Sequence, residues 1–239
     1  MTSGEAFLIC LWNIFWLFDM SIFKELAEQA RPILEKVRLD CGEDYQPKNP
    51  LYALESMDSL VNKGINPVCV LLGQDPYPQK NVATGLAFAN RPSDGHPYIS
   101  PSLRIIEASI LRLSIKEERL GFFMFDPTLN HWKDQGILLL NSSLTVRTGC
   151  SGSHTMLWAP TMINIVSTIS RTYPKLCWIM FGSQARNFIP CLSKESYVLC
   201  EYHPSYYARN KIGMPESVWE EARNYCKRTF DKEIHWYYR

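Results

Sequence analysis

The chain has 239 residues, 46% of them hydrophobic and 21% charged, with a formal net charge of +1. This is globular composition and excludes a disordered or collagen-like chain. The near-neutral balance excludes a global basic excess, so any phosphate-binding surface must be a local patch.

In chain order, the first feature is AFLICLWNIFWLF, residues 6–18. It is strongly apolar but too short to span a bilayer comfortably. Glu5 stands where a signal peptide needs positive charge. Residues 1–19 are read as an apolar leader or extension, with a helix packed on the domain as the alternative. Residues 20–239 are read as a single domain, and no membrane role is expected.

FKELAEQARPILEKV (23–37) has a helical pattern, which Pro32 is expected to kink or end. PVCVLL (67–72), GILLLN (136–141), LCWIMF (176–181) and YVLCEY (197–202) are of strand length and lack alternation, so all are expected to be buried on both faces. Between and after them run helical patterns at 100–113, opened by Ser-Pro-Ser, at 161–173 after Pro160, at 183–192, broken by Pro190, and at 215–230. Strands alternating with helices predict an α/β fold with a mostly parallel sheet. The eight cysteines have no C-x-x-C spacing and several lie in apolar runs. They are read as small core hydrophobes of a reducing compartment, not metal ligands.

Polar groups follow every predicted strand: GQDPYP after the first, Asn141-Ser-Ser after the second, Gly182-Ser183 after the third and His203-Pro204-Ser205 after the fourth. That edge of an open α/β sheet is where ligands bind. Asp75 in a Pro-stiffened turn beside Tyr77 suits a base or an electrostatic stabiliser, although a turn aspartate has the same pattern. His203, restricted by Pro204, is a candidate functional imidazole at the end of a strand across from Asp75, although a lone histidine is more often structural or solvated. The Asn141 amide pairs with a neighbouring C=O and N–H on a flat ring, or caps a turn. Phe88 can floor such a ring, or serve the core. P-loop and G-x-G-x-x-G patterns are absent from the sequence. The residues therefore predict a cofactor-free, metal-free site for a flat polar ring, without naming it.

Taken together, GQDPYP, GLAFAN (85–90), ISPSL (99–103), LLLNSSLTV (138–146), FGS (181–183) and HPS (203–205) resemble the family-1 uracil-DNA glycosylases, in the family's order and over roughly residues 45–225. The resemblance implies a three-layer α/β/α fold around a central four-stranded, mostly parallel twisted sheet. It implies an enzyme that flips uracil out of DNA and hydrolyses the N-glycosidic bond, leaving an abasic site for base-excision repair.

By the same resemblance, Asp75 activates water and stabilises the sugar cation, while His203 donates to uracil O2. Gln74, Tyr77, Phe88 and Asn141 bind the base, Tyr77 excluding the methyl of thymine. Pro101, Ser102, Gly182, Ser183 and Ser205 contact DNA, and Tyr207 stands in the place of the minor-groove wedge. The implied partners are single- or double-stranded uracil-containing DNA and a DNA-mimicking inhibitor protein. The implied state is an intracellular monomer, in the cytoplasm, the nucleus or a viral replication site. A DNA-binding subunit that scaffolds replication partners is the alternative. Two positions depart from the pattern. Pro78 replaces a histidine, which puts that side chain's support of the water and phosphate in doubt. The loop HPSYYARN is altered, which makes the equivalence beyond Ser205 uncertain.

Overall fold

The computed structural model describes residues 21–91, 99–116 and 125–237. The apolar stretch at 6–18 lies outside the described residues. Helix α1 (Ile22–Cys41) starts at Ser21, whose hydroxyl accepts from the Phe23 N–H. It turns Phe23, Leu26, Ala27, Ala30, Leu34 and Val37 to the core. The expectation that Pro32 ends this helix fails where a bend was the alternative, because α1 continues to Cys41. Pro32 is exposed, so the carbonyl it cannot serve has access to water.

Strand β1 (Tyr45–Gln46), helix α2 (Tyr52–Val61) and strand β2 (Cys69–Gly73) follow. Next come α3 (Pro101–Lys116), the short α4 (Asn130–Lys133), β3 (Ile137–Asn141) and β4 (Val146–Arg147). The chain then forms α5 (Thr155–Thr172), β5 (Cys177–Phe181), α6 (Gly182–Arg186) and a 3-10 turn at Ile189–Cys191. It ends with β6 (Tyr197–Glu201), α7 (Pro204–Asn210) and α8 (Ser217–Phe230). Helix α5 starts at Thr155, ahead of the expected position, and carries Pro160 within its first turns on an exposed site.

The main sheet has the order β3-β2-β5-β6, with every pair parallel. Helices cover both of its sides, as the three-layer expectation requires. On one side Trp219 of α8 lies 5.8 Å from Phe181 of β5. Trp178 and Met180 project to the other side by strand alternation. Strands β2, β3 and β5 are buried along their whole length. β6 is not, contrary to expectation: it lies at one edge of the sheet, paired with β5, and is half-buried, whereas β3 at the opposite edge is fully buried. Cys69 and Cys177 are core residues as their apolar runs predict, but Cys200 on β6 and Cys150 in a turn are exposed. Among the described residues no helix is long and apolar enough to cross a membrane.

The chain leaves β2 towards β3 on one side and returns past it to β5 and β6 on the other. The strand order therefore reverses beside β2, and the crevice at the carboxyl ends of β2 and β5 is the natural ligand site.

Candidate active site

At that crevice, backbone bonds fix the first turn. The Gly73 carbonyl accepts from the Ser142 N–H (3.0 Å), and the Gln74 carbonyl accepts from the Ser142 hydroxyl (2.7 Å) and the Ser143 N–H (3.0 Å). The end of β2 is thereby locked to the Asn141-Ser-Ser segment. Gly73 is required here: a Cβ would lie 2.5 Å from Asn141 Oδ1 and 3.2 Å from the Phe88 ring. The missing side chain is the space in which those two groups meet.

A cavity of about 240 Å³ opens at this point, lined among others by Gln74, Asp75, Tyr77, Phe88, Ser102, Asn141, His203 and Ser205. It is smaller than drug-sized pockets of roughly 300–1,000 Å³ and suits one flat ring. The residues singled out for chemistry and base binding thus share one cavity. Pro101, Gly182 and Ser183 are not in its lining. Pro101 and Ser183 are exposed beside it, at the starts of α3 and α6.

Phe88 adopts φ = +65°. For a bulky residue this is strained by about 1–3 kcal/mol, and such strain gathers at functional sites. The Phe88 carbonyl accepts from the Tyr77 hydroxyl (3.0 Å), and that hydroxyl accepts from Ser100 Oγ (2.7 Å). Ser100 Oγ also accepts from the Leu103 N–H (3.3 Å), so the start of α3 holds the tyrosine ring. The Phe88 ring packs edge-on to Phe181 at 5.2 Å and lies 5.6 Å from the His203 imidazole.

Asp75 Oδ2 accepts from the Gly152 N–H (2.5 Å) and the Ser151 hydroxyl (2.8 Å), leaving Oδ1 as the oxygen free of side-chain partners. Burial raises the carboxyl above its usual value, against the lowering effect of Gly152 and Ser151. The small β1–β4 ladder, pairing Tyr45 with Arg147, holds the loop that carries these donors.

His203 caps α7: its Nδ1 accepts from the Ser205 N–H (3.2 Å) and lies 2.8 Å from Ser205 Oγ. A backbone N–H can only donate, so Nδ1 carries no proton and Nε2 carries the ring N–H. Burial, and secondarily Arg209, lowers this imidazole to about 4. It is therefore a neutral donor at physiological pH. Gly182 (φ = +83°) permits this placement, since a Cβ there would approach His203 Cβ to 3.0 Å.

The Asn141 amide is buried to 7% exposure, lines the cavity and has no hydrogen-bond partner among the described residues. Its donor and acceptor are both available to a ring.

The structure overturns one expectation. Tyr207 cannot project as a wedge, because it is buried and its hydroxyl donates to Glu201. The exposed rings of this loop are Tyr202 and Tyr206. Sequence reasoning also missed Ser151, Gly152 and Arg209, all at the cavity or on Asp75. A Gly/Ser turn at 149–153 was the available signal for the first two, since such turns offer backbone N–H groups to anions. Arg209 was one surface cation among many.

Away from the cavity, Asp40, Cys41 and His154 approach within 4.8 Å of one another. Asp40 pairs with Arg147, and His154 Nδ1 bonds Thr145 Oγ1, which accounts for both as supports of the β4 loop.

Comparison with known proteins places the chain in a family. The uracil-DNA glycosylase from Mesomycoplasma hyopneumoniae is 31% identical over 169 residues, covering 70% of this chain and 73% of that protein. That of equine herpesvirus 1 is 30% identical over 213 residues, covering 87% and 64%. The crystal structure of mimivirus uracil-DNA glycosylase superposes with a TM-score of 0.66 at 20% identity, covering 99% of this chain and 87% of that one. A mimivirus UNG variant solved in complex with UGI matches equally well, at 0.66 and 21% identity. The sequence model of the uracil DNA glycosylase superfamily matches residues 62–227, so the chain belongs to that superfamily.

Proposed function

We propose that the protein is a monofunctional uracil-DNA glycosylase acting in base-excision repair, carried by residues 20–239. One observation bears most of the weight. An uncommitted Asn141 amide, a neutral imidazole donor and a carboxylate line a cavity the size of one base.

In the proposed reaction a flipped uracil slides between Phe88 and the Tyr77 wall. Flipping costs a few kcal/mol, offset by grips on the flanking phosphates. Ser102 and Ser205 at the cavity, with Pro101, Gly182 and Ser183 beside it, supply those grips. Asn141 pairs with N3–H and O4. The Gln74 carbonyl is already taken by Ser142 and Ser143, so its N–H is the group left for the base. As the C1′–N1 bond breaks, its electron pair moves onto the uracil ring and O2. His203 Nε2–H meets that charge as an oxyanion-type donor. The sugar cation faces Asp75, which directs a water onto C1′ and takes its proton. The family relatives in complex with UGI support a DNA-mimicking inhibitor as a partner here also. DNA repair further supports an intracellular place of action.

The direct test is incubation with uracil-containing single-stranded DNA in EDTA. Abasic sites and free uracil are expected. No excision, or excision restored only by added metal, would overturn the reading.

A pH profile follows from the two titrating groups. The competent form has Asp75 ionised and His203 neutral. His203 titrates near 4, not near its ordinary 6.5. The excision rate is therefore expected to show no step at the ordinary histidine value of 6.5 and to fall as the raised Asp75 carboxyl takes up its proton. For stability the sign is the same. An imidazole depressed in the folded state contributes stability above its unfolded value and loses it as pH falls through its folded one. The drop from 6.5 to about 4 corresponds to on the order of 3 kcal/mol, lost across that window. His203→Asn should flatten the melting temperature between pH 6.5 and 4. An unchanged slope would show that His203 is not a buried neutral group.

A further inference from the structure

Beside the cavity, Tyr202 and Tyr206 stack at 4.6 Å with 22° between their planes, and both are exposed, at 54% and 37%. They flank the segment His203–Ser205 in sequence, and His203 and Ser205 line the cavity. An exposed aromatic face held in a fixed position is a platform on which a flat base can stack.

This stack is held from behind. The buried Tyr207 ring meets Tyr206 edge-on at 5.5 Å and Tyr202 edge-on at 6.4 Å. Glu201 Oε1 accepts from both the Tyr207 hydroxyl and the Tyr202 N–H. The Tyr206 N–H donates to the His203 carbonyl (2.8 Å). The burial of Tyr207 that disqualifies it as a wedge is what orders the other two rings.

The charge around the stack is positive. The Arg186 guanidinium lies 5.5 Å from the Tyr202 centroid, and Arg209, at the cavity lining, donates to Ser205 Oγ at 3.3 Å. Neither arginine has a carboxylate partner among the described residues. Glu201, the acidic group at the stack among the described residues, is engaged by Tyr202 and Tyr207.

Stacked aromatics with unpaired arginines, continuous with a base pocket, match the chemistry of an unpaired nucleobase and its phosphates. We propose that Tyr202 and Tyr206 form a stacking subsite for the unpaired base next to the flipped nucleotide, with Arg186 and Arg209 on its phosphates. The subsite rests on the glycosylase reading for its neighbour, but it binds uracil-free single strands as well. Because a base inside a duplex already stacks on its own neighbours, the subsite favours single-stranded DNA.

The test uses short single strands with 2-aminopurine on either side of the uracil position, with and without uracil. Binding by the parent should quench 2-aminopurine on one side. Tyr206→Ala and Tyr202→Ala should abolish the quenching and raise KM on single strands by about 5- to 100-fold, the range of one lost base stack. kcat should change little, and KM on duplexes should change less. Tyr206→Phe should keep both the quenching and the KM. Melting temperatures of the exposed-site variants check that the fold is intact. The subsite is overturned if Tyr206→Ala binds uracil-free single strands as the parent does, or if Tyr206→Phe fails as fully as Tyr206→Ala. A parent that binds and quenches but releases no uracil would refute the glycosylase reading and leave the subsite standing.

Discussion

Asp75→Asn is expected to slow single-turnover uracil excision by roughly 100- to 1,000-fold, the usual loss when a preorganised electrostatic group is removed, while leaving the melting temperature at neutral pH unchanged or higher. The two effects have one cause. Burial raises the Asp75 carboxyl above its ordinary value of 3.8. A carboxyl raised in the folded state contributes stability that is present below its unfolded value and lost as pH rises through its folded one. At neutral pH its ionised form therefore opposes folding, and the Gly152 and Ser151 bonds only partly offset this. The charge that the sugar cation needs is thus held at a cost in stability, as active sites commonly hold theirs. An amide removes the charge but keeps an oxygen for the Gly152 N–H. Single-turnover rates and thermal melts at pH 7 decide the matter. A near-parent rate would remove Asp75 from the reaction. A sharp fall in melting temperature would show that the carboxylate is a structural support and not a strained reactive group.

The parts of this arrangement that depend on a short window were legible in the sequence. An apolar run ending in a stiff polar turn announces both a parallel strand and a ligand edge, so Asp75, Asn141 and His203 could be placed before any coordinates. What escaped depends on contacts between distant segments. Ser151 and Gly152 act on a residue 76 and 77 positions away, and a Gly/Ser turn looks alike whether or not it holds a carboxylate. Tyr206 and Tyr207 are adjacent and identical in type, yet one is exposed and the other buried. A one-residue step along α7 turns the side chain by about 100°, and the ring that turns inward is the one that meets Glu201. Pro32 and Pro160 were read as possible helix boundaries, yet both lie inside helices on exposed sites, where water has access to the carbonyls they leave. What packs over a strand is likewise not written in the strand itself: GILLLN and YVLCEY both became edge strands, but β3 is fully buried and β6 only half.

Asn141 carries the second large expectation, because in the proposed reaction base choice rests on one amide. Uracil presents an acceptor at O4 and a donor at N3–H, and the free Asn141 amide offers the complement of both. Cytosine reverses the pair, with a donor amino group and an acceptor N3. The site cannot adapt by moving: Asn141 ends a strand that is buried along its length, and its Oδ1 occupies the space that a Cβ on Gly73 would take. Nor is the cavity open enough for water to repair the mismatch on every side, since Asn141 is only 7% exposed. Each buried group left unpaired costs about 1–3 kcal/mol, and sites built on such pairing reject the wrong ligand by roughly 10⁴-fold or more. Asn141→Asp should therefore excise uracil more slowly and begin to release cytosine, because a carboxyl accepts from the cytosine amino group and, when protonated, donates to N3. Lower pH should favour the new activity, since protonation supplies that donor. Asn141→Ala is expected to lose uracil excision without gaining cytosine release. Free cytosine measured from a cytosine-containing strand separates these outcomes. If Asn141→Ala discriminates between the two bases as the parent does, selectivity comes from the shape of the cavity, and the amide is only a lining group.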